Sequence, residues 1–345
     1  MSLNWQNLEI EQLHSVCLID QEMARNPSAV VQFQLPSCPE SVRIIRVPNV
    51  LYDPRLRLQV LPSGGVPTEG INEWLLNFVR GRFPKDNFRT MNEPRFIDQE
   101  VCVLSKMGSR NFYHWTTEQL LKVIILENTG FTGIYALSDQ PDFCYSFLEC
   151  LGISPNRIFD MQNEPTVFNE SVLMTPITCE DFPEKYPGLF FLLRETLLNS
   201  ADRDLPTTPR KIWLDRVLQV NNVRQFINSD QVYKLIESYG FEIVDMATHD
   251  VRDQIAIANR AEVIMGMHGA AFTHAMFMKP RSMVIECFSP AFINSGYLEI
   301  CSLLHHRYAM VVHRNAYGAY EYGNDLKVDC FQLELVLQSF NLGGE

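Results

Sequence analysis

The sequence predicts an α/β fold of two domains, and three observations carry that prediction. The chain has 345 residues, more than one ordinary domain contains. From residue 100 onward, strand-like and helix-like segments alternate, which is typical of a parallel sheet covered by helices. A polar segment with two prolines, residues 200–209, interrupts this alternation and is predicted to link the domains. We therefore expect an N-terminal domain over residues 1–199, a C-terminal domain over 210–325, and a helix within 326–345 that packs near the domain junction.

The N-terminal domain is predicted to open with short strands, because apolar runs such as residues 42–47 alternate with turn-forming residues. Regular elements follow. The expected strands cover residues 101–104, 134–137, 157–159 and 172–174, and the expected helices cover residues 113–128 and 143–151.

The C-terminal domain shows the clearer alternation. The expected strands cover residues 211–214, 241–245, 262–265, 283–286 and 308–312, and the expected helices cover residues 229–239, 251–259, 268–278 and 295–304. Asn228 is a candidate N-cap residue for the first of these helices. Five strands interleaved with four helices predict a Rossmann-like domain.

Composition limits the class of protein. The chain is 46% hydrophobic and 20% charged, so it has the residues to build cores. Its net charge of −12 argues against binding to nucleic acid or anionic lipid, although it allows a local basic pocket. We expect a cytoplasmic protein because the sequence shows no transmembrane segment, no secretory signal and nine scattered cysteines without a CxxC pair. The sequence leaves the oligomeric state open, and a homo-oligomer is compatible with it.

The sharpest candidate motif is Gly266-Met267-His268-Gly269-Ala270-Ala271, at a predicted transition from strand to helix. The first turn of a helix offers unpaired N–H groups that suit a phosphate, and small residues allow its close approach. His268 could donate a hydrogen bond to a phosphate oxygen. The motif is not the GxGxxG dinucleotide fingerprint. The alternative interpretation is that the small residues pack helix against strand and that His268 caps the helix.

Three charged residues are expected at the same sheet edge. Glu286 ends the next strand, 20 positions after Gly266, where a carboxylate could hold ribose hydroxyls. Arg216 and Arg224 follow the first strand of the domain, and guanidinium groups match phosphate geometry. Each of these three also has a plain alternative as a solvated surface side chain.

His114 and Glu118 form the candidate pair of the N-terminal domain. They lie four residues apart at the start of a predicted helix and so share a face. A carboxylate beside an imidazole can serve as a general base for a hydroxyl. The alternative is that Glu118 complements the helix dipole. The Asp-x-Asp sequence at 202–204 falls in the linker instead of at a strand end, which argues against a metal role.

These segments together resemble glycosyltransferase family 61, whose members include xylosyl- and N-acetylglucosaminyltransferases. The resemblance covers residues 100–312. It rests on the Asn-x-x-His-Trp-x-x-Glu run at 111–118, on Arg216, Arg224 and Asn228, on residues 258–264, on Gly266-x-His268-Gly269-Ala270, and on Glu286. Two departures from the family pattern are Asp215, where a small hydroxyl residue is usual, and the run 271–274.

The resemblance implies a GT-B type architecture, two Rossmann-like domains facing a cleft, and inversion at the anomeric carbon without an obligatory metal or other cofactor. It implies that Arg216, Arg224, Gly266, His268, Gly269, Ala270 and Glu286 bind a nucleoside-diphosphate sugar, expected to be UDP-linked. Glu118 or His114 would be the base that activates a glycan acceptor. The alternatives are a catalytically silent nucleotide-sugar or partner-binding protein on the same fold, and a Rossmann oxidoreductase, which would need a glycine-rich first turn.

Overall fold

The computed structural model describes residues 30–33, 42–61, 93–174, 177, 182–201, 209–215, 227–289, 293–313 and 327–343. The chain divides into two compact units, Met1–Leu193 and Arg194–Glu345. Each unit contains a sheet rich in parallel strands, so the α/β class predicted from the sequence is confirmed. The boundary between the units falls inside the helix Pro187–Ser200, an element that the alternation pattern did not predict.

The sheet of the first unit combines parallel and antiparallel strands. In chain order its strands are β1 (Val30–Phe33), β2 (Val42–Asp53), β3 (Leu58–Val60), β4 (Arg95–Val103), β5 (Ile134–Leu137), β6 (Ile158–Asp160) and β7 (Thr166–Met174). Their spatial order is β1-β2-β7-β4-β5-β6, with β3 beside β2. Strands β7, β4, β5 and β6 are parallel, whereas β2 pairs antiparallel with β1, β3 and β7. The carboxyl ends of β4 and β7 therefore meet at one edge of the sheet.

The length of β2 differs from the short strand expected over 42–47. Pro48 and Asn49 suggest a turn in the sequence, but the ladder with β7 continues on both sides of them, from Ile44 to Tyr52. Asn49 adopts a left-handed backbone conformation, with a φ of 55°, at the point where the pairing with β7 is interrupted. The opening strands thus join the main sheet of the unit.

Helix α1 is the central helix of the first unit. It consists of α-helical Phe112–His114, π-helical Trp115–Gln119 and α-helical Leu120–Asn128. Every residue from Trp115 to Leu126 is buried, including the polar or charged Thr116, Thr117, Glu118, Gln119 and Lys122. Helices α2 (Asp142–Cys150) and α3 (Pro187–Ser200) follow along the chain.

The sheet of the second unit is parallel throughout its described strands. These are β8 (Lys211–Leu214), β9 (Glu242–Val244), β10 (Val263–Met267), β11 (Met283–Phe288) and β12 (Arg307–Val312), in the spatial order β12-β11-β10-β8-β9. Numbered from β8, this order is 2-1-3-4-5, and its direction reverses between β8 and β10. Ligands of open α/β sheets bind outside the carboxyl ends of the strands at such a reversal.

The helices of the second unit are α4 (Ser229–Ser238), α5 (Val251–Arg260), the 3₁₀ helix Ala270–Phe277, α6 (Gly296–Leu303) and α7 (Cys330–Ser339). Leu333 and Leu337 of α7 share one buried cluster with Val232 and Ile236 of α4. Asn228 stands at the N-cap position of α4, but its side chain bonds the backbone of Val328 instead of the helix N–H groups. It thereby ties α4 to the segment that leads into α7.

Candidate active site

The amino end of α1 is shaped by side chains that replace backbone partners. Asn111 accepts hydrogen bonds from the N–H groups of Tyr113 and His114, at 2.9 and 3.4 Å, and so caps the helix. The hydroxyls of Thr116 and Thr117 each donate to a carbonyl four residues earlier, at 2.7 Å. These carbonyls would otherwise accept the N–H groups of an α-helix, and the turn widens to a π-helical one, a feature common at functional sites.

Glu118 lies in this widened turn between the side chains of His114 and Lys106. His114 Nδ1 is 2.9 Å from Glu118 Oε1, and Lys106 forms an ion pair with Glu118 Oε2. Only 4% of Glu118 is exposed, whereas the side chain of His114 is 38% exposed. The structure therefore brings the two residues expected from the sequence into contact and adds Lys106, which follows β4.

The charge of Glu118 decides which residue of the pair is the better base. Burial alone raises the pKa of Glu118, but the hydrogen bond from His114 and the charge of Lys106 together lower it to about 2. A carboxylate with so low a pKa is a weak base near neutral pH, where imidazole exchanges protons readily. The geometry favours His114 as the proton acceptor, with Glu118 holding its Nδ1.

A second cluster occupies the carboxyl ends of β10 and β11 in the second unit. Gly266 lies within β10, where an added Cβ would stand 2.7 Å from the carbonyl oxygen of Leu214 in β8. The absence of a side chain is thus required for the approach of the two strands at the reversal point. This packing role explains Gly266 without a direct contact to a ligand.

His268 is fixed by three contacts. Its backbone N–H donates to Cys287 O at 2.9 Å, its Nδ1 lies 2.5 Å from Glu286 Oε1, and its ring stacks on Phe288 with centroids 4.8 Å apart. The second carboxylate oxygen of Glu286 accepts the hydroxyl of Tyr308 at 2.7 Å. Burial and then the Glu286 charge raise the pKa of Tyr308, which therefore stays a donor.

Glu286 lies near the carboxyl end of β11, the position from which the sequence predicts a contact with ribose hydroxyls. The residue is completely buried, and both of its oxygens are engaged by His268 and Tyr308. A carboxylate in this position can orient His268 and compensate a charge on its ring.

The turn after His268 forms a 3₁₀ helix, which corrects the helix expected over 268–278. The Thr273 hydroxyl and the His274 ring donate to the carbonyls of Ala270 and Ala271, each at 2.7 Å, in the first turn of the helix. The 3₁₀ geometry still leaves the N–H groups of Ala270 and Ala271 without an intrahelical partner. Both alanines are half-buried, and Gly269 before them is buried in an extended conformation.

Two side chains, one from α3 and one from α5, bond the carbonyls at the far end of this 3₁₀ helix. Arg194 donates to the carbonyls of Met276 and Met278, at 2.7 and 2.9 Å, and Asn259 donates to Phe277 O at 2.9 Å. Arg194 is only 6% exposed. A cation and an amide at a helix carboxyl end satisfy carbonyls that would otherwise be buried without donors.

Asp215, the acidic departure noted in the sequence, is directed into the protein. It is 8% exposed and accepts the hydroxyl of Tyr233 from α4. Its negative charge is thereby engaged. Arg216 and Arg224, like the Asp-x-Asp sequence at 202–204, lie outside the described residues.

Sequence reasoning missed three residues that the structure adds to these clusters. Lys106 could have been found as a basic residue directly after a buried strand, the same rule that pointed to Arg216. Arg194 interrupts the apolar run 189–193, a signal of a buried cation with partners. Tyr308 carries no such signal, because an aromatic residue in a strand is ordinary.

The described residues contain neither a metal-binding cluster nor a membrane-spanning helix. Within that part of the chain, no cluster of three or more His, Cys, Asp or Glu side chains could hold a metal ion. The helices in the same residues are too short or too polar to cross a bilayer.

Comparison with known proteins identifies the family. The family model described as Glycosyltransferase 61 matches residues 112–285, about half of the chain, and this segment contains His114, Glu118 and His268. An alpha-1,3-arabinosyltransferase of Oryza sativa subsp. japonica is 30% identical over 73 residues, which are 20% of this chain and 13% of that protein.

Two further relatives support the assignment. A xylan glycosyltransferase of Arabidopsis thaliana is 36% identical over 67 residues, 18% of this chain and 13% of the relative. An EGF domain-specific O-linked N-acetylglucosamine transferase of Drosophila melanogaster is 25% identical over 105 residues, 30% of this chain and 20% of the relative. The chain thus matches a fifth or less of the length of these three relatives. On the match of the family model, the chain belongs to glycosyltransferase family 61.

Proposed function

We propose that this protein is an inverting glycosyltransferase that moves a sugar from a nucleoside-diphosphate sugar to a glycan hydroxyl. Family membership and the names of the relatives support sugar transfer as the reaction. The observation that carries the proposal is the position of His268, which buried Glu286 braces where the strand order reverses. This is where an open α/β sheet offers a ligand site.

The second unit supplies the donor site in this proposal. The N–H groups of Ala270 and Ala271 lie at the amino end of the 3₁₀ helix and have no intrahelical partner, so this end suits an anion. In its charged form His268 donates from both ring nitrogens, one to Glu286 and the other to a phosphate oxygen. Arg216 and Arg224 are assigned to the diphosphate from the sequence. Glu286 acts through His268 as a positioning residue.

The first unit supplies the base. His114 accepts the proton of the acceptor hydroxyl, and Glu118 holds the imidazole through Nδ1. Lys106 keeps Glu118 ionised, so the negative charge that steadies the resulting imidazolium is permanent. This division of roles replaces the open choice between Glu118 and His114 at the sequence level.

The reaction is a single displacement. The acceptor oxygen forms a bond to the anomeric carbon as the bond from that carbon to the diphosphate oxygen breaks, and the hydroxyl proton passes to His114. The bonding electrons leave with the nucleoside diphosphate. The developing charge on the leaving group meets donors that are already in place, which is where preorganised sites contribute most.

Several finer assignments stay predictions of the sequence and its resemblance. They are a UDP-linked donor, transfer without an obligatory metal, the GT-B type arrangement of two Rossmann-like domains facing a cleft, and a cytoplasmic location. The donor nucleotide, the metal requirement and the location supplement the proposal, and none of these three is needed for the chemistry at His114 or His268.

A donor-by-acceptor array read by mass spectrometry tests the proposal. The protein is incubated with UDP-, GDP- and CMP-sugars and with a panel of glycans, and a mass gain of one sugar residue on an acceptor is the expected result. Arg216→Ala should nearly abolish that product, since loss of one such donor costs roughly 3–4 kcal/mol of transition-state stabilisation. Nucleotide binding without any transfer would contradict the enzymatic function and favour the silent binding protein.

A further inference from the structure

A pocket in the first unit lies beside the cluster of His114 and Glu118. It is lined by residues at the carboxyl ends of β4 and β7 and has a cavity volume of about 20 Å³, enough for a small group. The last three residues of β7, Val172–Met174, form an apolar wall. The polar lining is provided by Arg57, Gln59, Ser105, Lys106 and Lys122.

The lining of this pocket is cationic in a strongly acidic protein. Three of its residues are basic, and no carboxylate belongs to the described lining. Two of the three cations already have acidic partners, because Lys106 pairs with Glu118 and Arg57 pairs with Asp139 at 2.8 Å. Ser105 and Gln59 are held by hydrogen bonds to Ser138 and Ser171.

Lys122 is the exception. It projects from the middle of α1, is 9% exposed and lines the pocket. Among the residues that the structure describes, none forms a hydrogen bond or an ion pair with its ammonium group. The ammonium group of a largely buried lysine without a protein partner is stabilised by water, by loss of its proton or by an anion that binds it.

We propose that this pocket binds an oxyanion, a carboxylate, phosphate or sulfate group, with Lys122 as its principal partner and Lys106 as the second. Because Lys106 also pairs with Glu118, such an anion would be bound next to the residue that orients the base. Resting on the proposed transferase function, the inference specifies the acceptor as an acidic glycan whose charged group enters this pocket.

Sulfate is the probe of choice, because its charge is constant between pH 6 and pH 9. Its affinity is measured by isothermal titration calorimetry at constant ionic strength, on the wild type, on Lys122→Met and on the control Lys234→Met. Lys234 is an exposed lysine of α4 in the other unit. The expected result is at least tenfold weaker binding to Lys122→Met and unchanged binding to Lys234→Met. Equal sulfate affinity of all three proteins, or no sulfate binding to the wild type, would overturn the proposal that this pocket binds an oxyanion.

The pH dependence of the wild type gives a second readout that does not depend on how Lys122→Met folds. Burial and the neighbouring charge of Lys106 lower the pKa of Lys122 to about 8, while Cys102 and Glu118 oppose this shift. Sulfate binding should therefore weaken as the pH rises from 7 to 9 and Lys122 loses its proton. An affinity that is constant over this range would contradict the role of Lys122.

Transfer assays separate this inference from the proposed function. Sulfate binding at Lys122 without transfer to any acceptor would support the anion-binding pocket and contradict the proposed transferase function. Transfer to neutral glycans in preference to acidic ones would overturn the assignment of the acceptor.

Discussion

At the scale of single residues, both clusters use a histidine whose Nδ1 meets a buried carboxylate. The carboxylate fixes the orientation of the ring and leaves Nε2 as the nitrogen for chemistry. The two pairs differ in the second partner of the acid. Glu118 meets a cation, Lys106, whereas Glu286 meets a neutral donor, Tyr308. The first arrangement keeps the acid ionised beside the proposed base, and in the second both oxygens of Glu286 are held by neighbouring side chains.

Substitution of His114 tests the assignment of the base. His114→Gln keeps a polar side chain but removes the proton acceptor, so kcat should fall by about 10²–10⁴-fold. KM for the donor should change little, because the donor site is assigned to the second unit. Steady-state kinetics with a donor and acceptor found in the array measure both constants. A kcat equal to that of the wild type would exclude His114 as the base.

The low pKa of Glu118 predicts an acid limit to stability. The pKa of this carboxyl is about 2 in the folded protein against an ordinary value of 4.5, so its charge stabilises the fold above pH 4.5. This contribution, on the order of 3 kcal/mol, is lost as the pH falls from 4.5 to 2. Urea unfolding at several pH values should show a steeper decline for the wild type than for Glu118→Gln. Parallel declines would contradict the pKa.

At the scale of elements, the sequence predicts alternation well and the special turns poorly. The strands 134–137 and 211–214 and the helix of Val251–Arg260 were recognisable because apolar patterns and caps reside in their own residues. The π-helical turn of α1 and the 3₁₀ helix after His268 depend on hydroxyl and imidazole groups that take backbone carbonyls. Ser, Thr and His do this in only some of their occurrences, so residue type alone does not predict it.

The site was predictable to a similar extent. Spacing identified His114 with Glu118 and placed His268 at a strand end. The burial of Glu286, however, follows from its pairing with His268 and Tyr308 across three neighbouring strands, which only the tertiary structure shows.

The close approach of β8 and β10 can be tested at Gly266. An alanine Cβ would meet the Leu214 carbonyl oxygen at 2.7 Å, so Gly266→Ala should destabilise the fold by about 1–3 kcal/mol. Gly343→Ala is the control, because the nearest atom to its Cβ, in Tyr239, is 4.0 Å away. Denaturant unfolding compares the two. Equal stability of both variants would show that the strands can separate without cost.

The buried anchor of the 3₁₀ helix is tested at Arg194. Arg194→Met removes the donors to Met276 O and Met278 O, and the expected loss of unfolding free energy is on the order of 3 kcal/mol. Arg210→Met is the control, since Arg210 forms an exposed ion pair with Glu262 and should contribute under 1 kcal/mol. A loss no larger than that of the control would contradict the anchoring role.

At the scale of the whole molecule, an acidic protein that binds an anionic sugar nucleotide needs local positive sites. The net charge of −12 disfavours the binding of anions in general. A negatively charged sugar nucleotide therefore needs hydrogen-bond donors that are concentrated and oriented in one place. The described residues provide such donors at His268 and at the leading end of the 3₁₀ helix, within the segment that defines the family.

The most direct test is the binding of UDP, measured by calorimetry on the wild type, on His268→Gln and on the exposed control His249→Gln. Loss of a hydrogen bond from a charged ring predicts roughly 10- to 100-fold weaker binding to His268→Gln and no change for the control. Wild-type affinity in His268→Gln would contradict a diphosphate site at the reversal point of the second sheet.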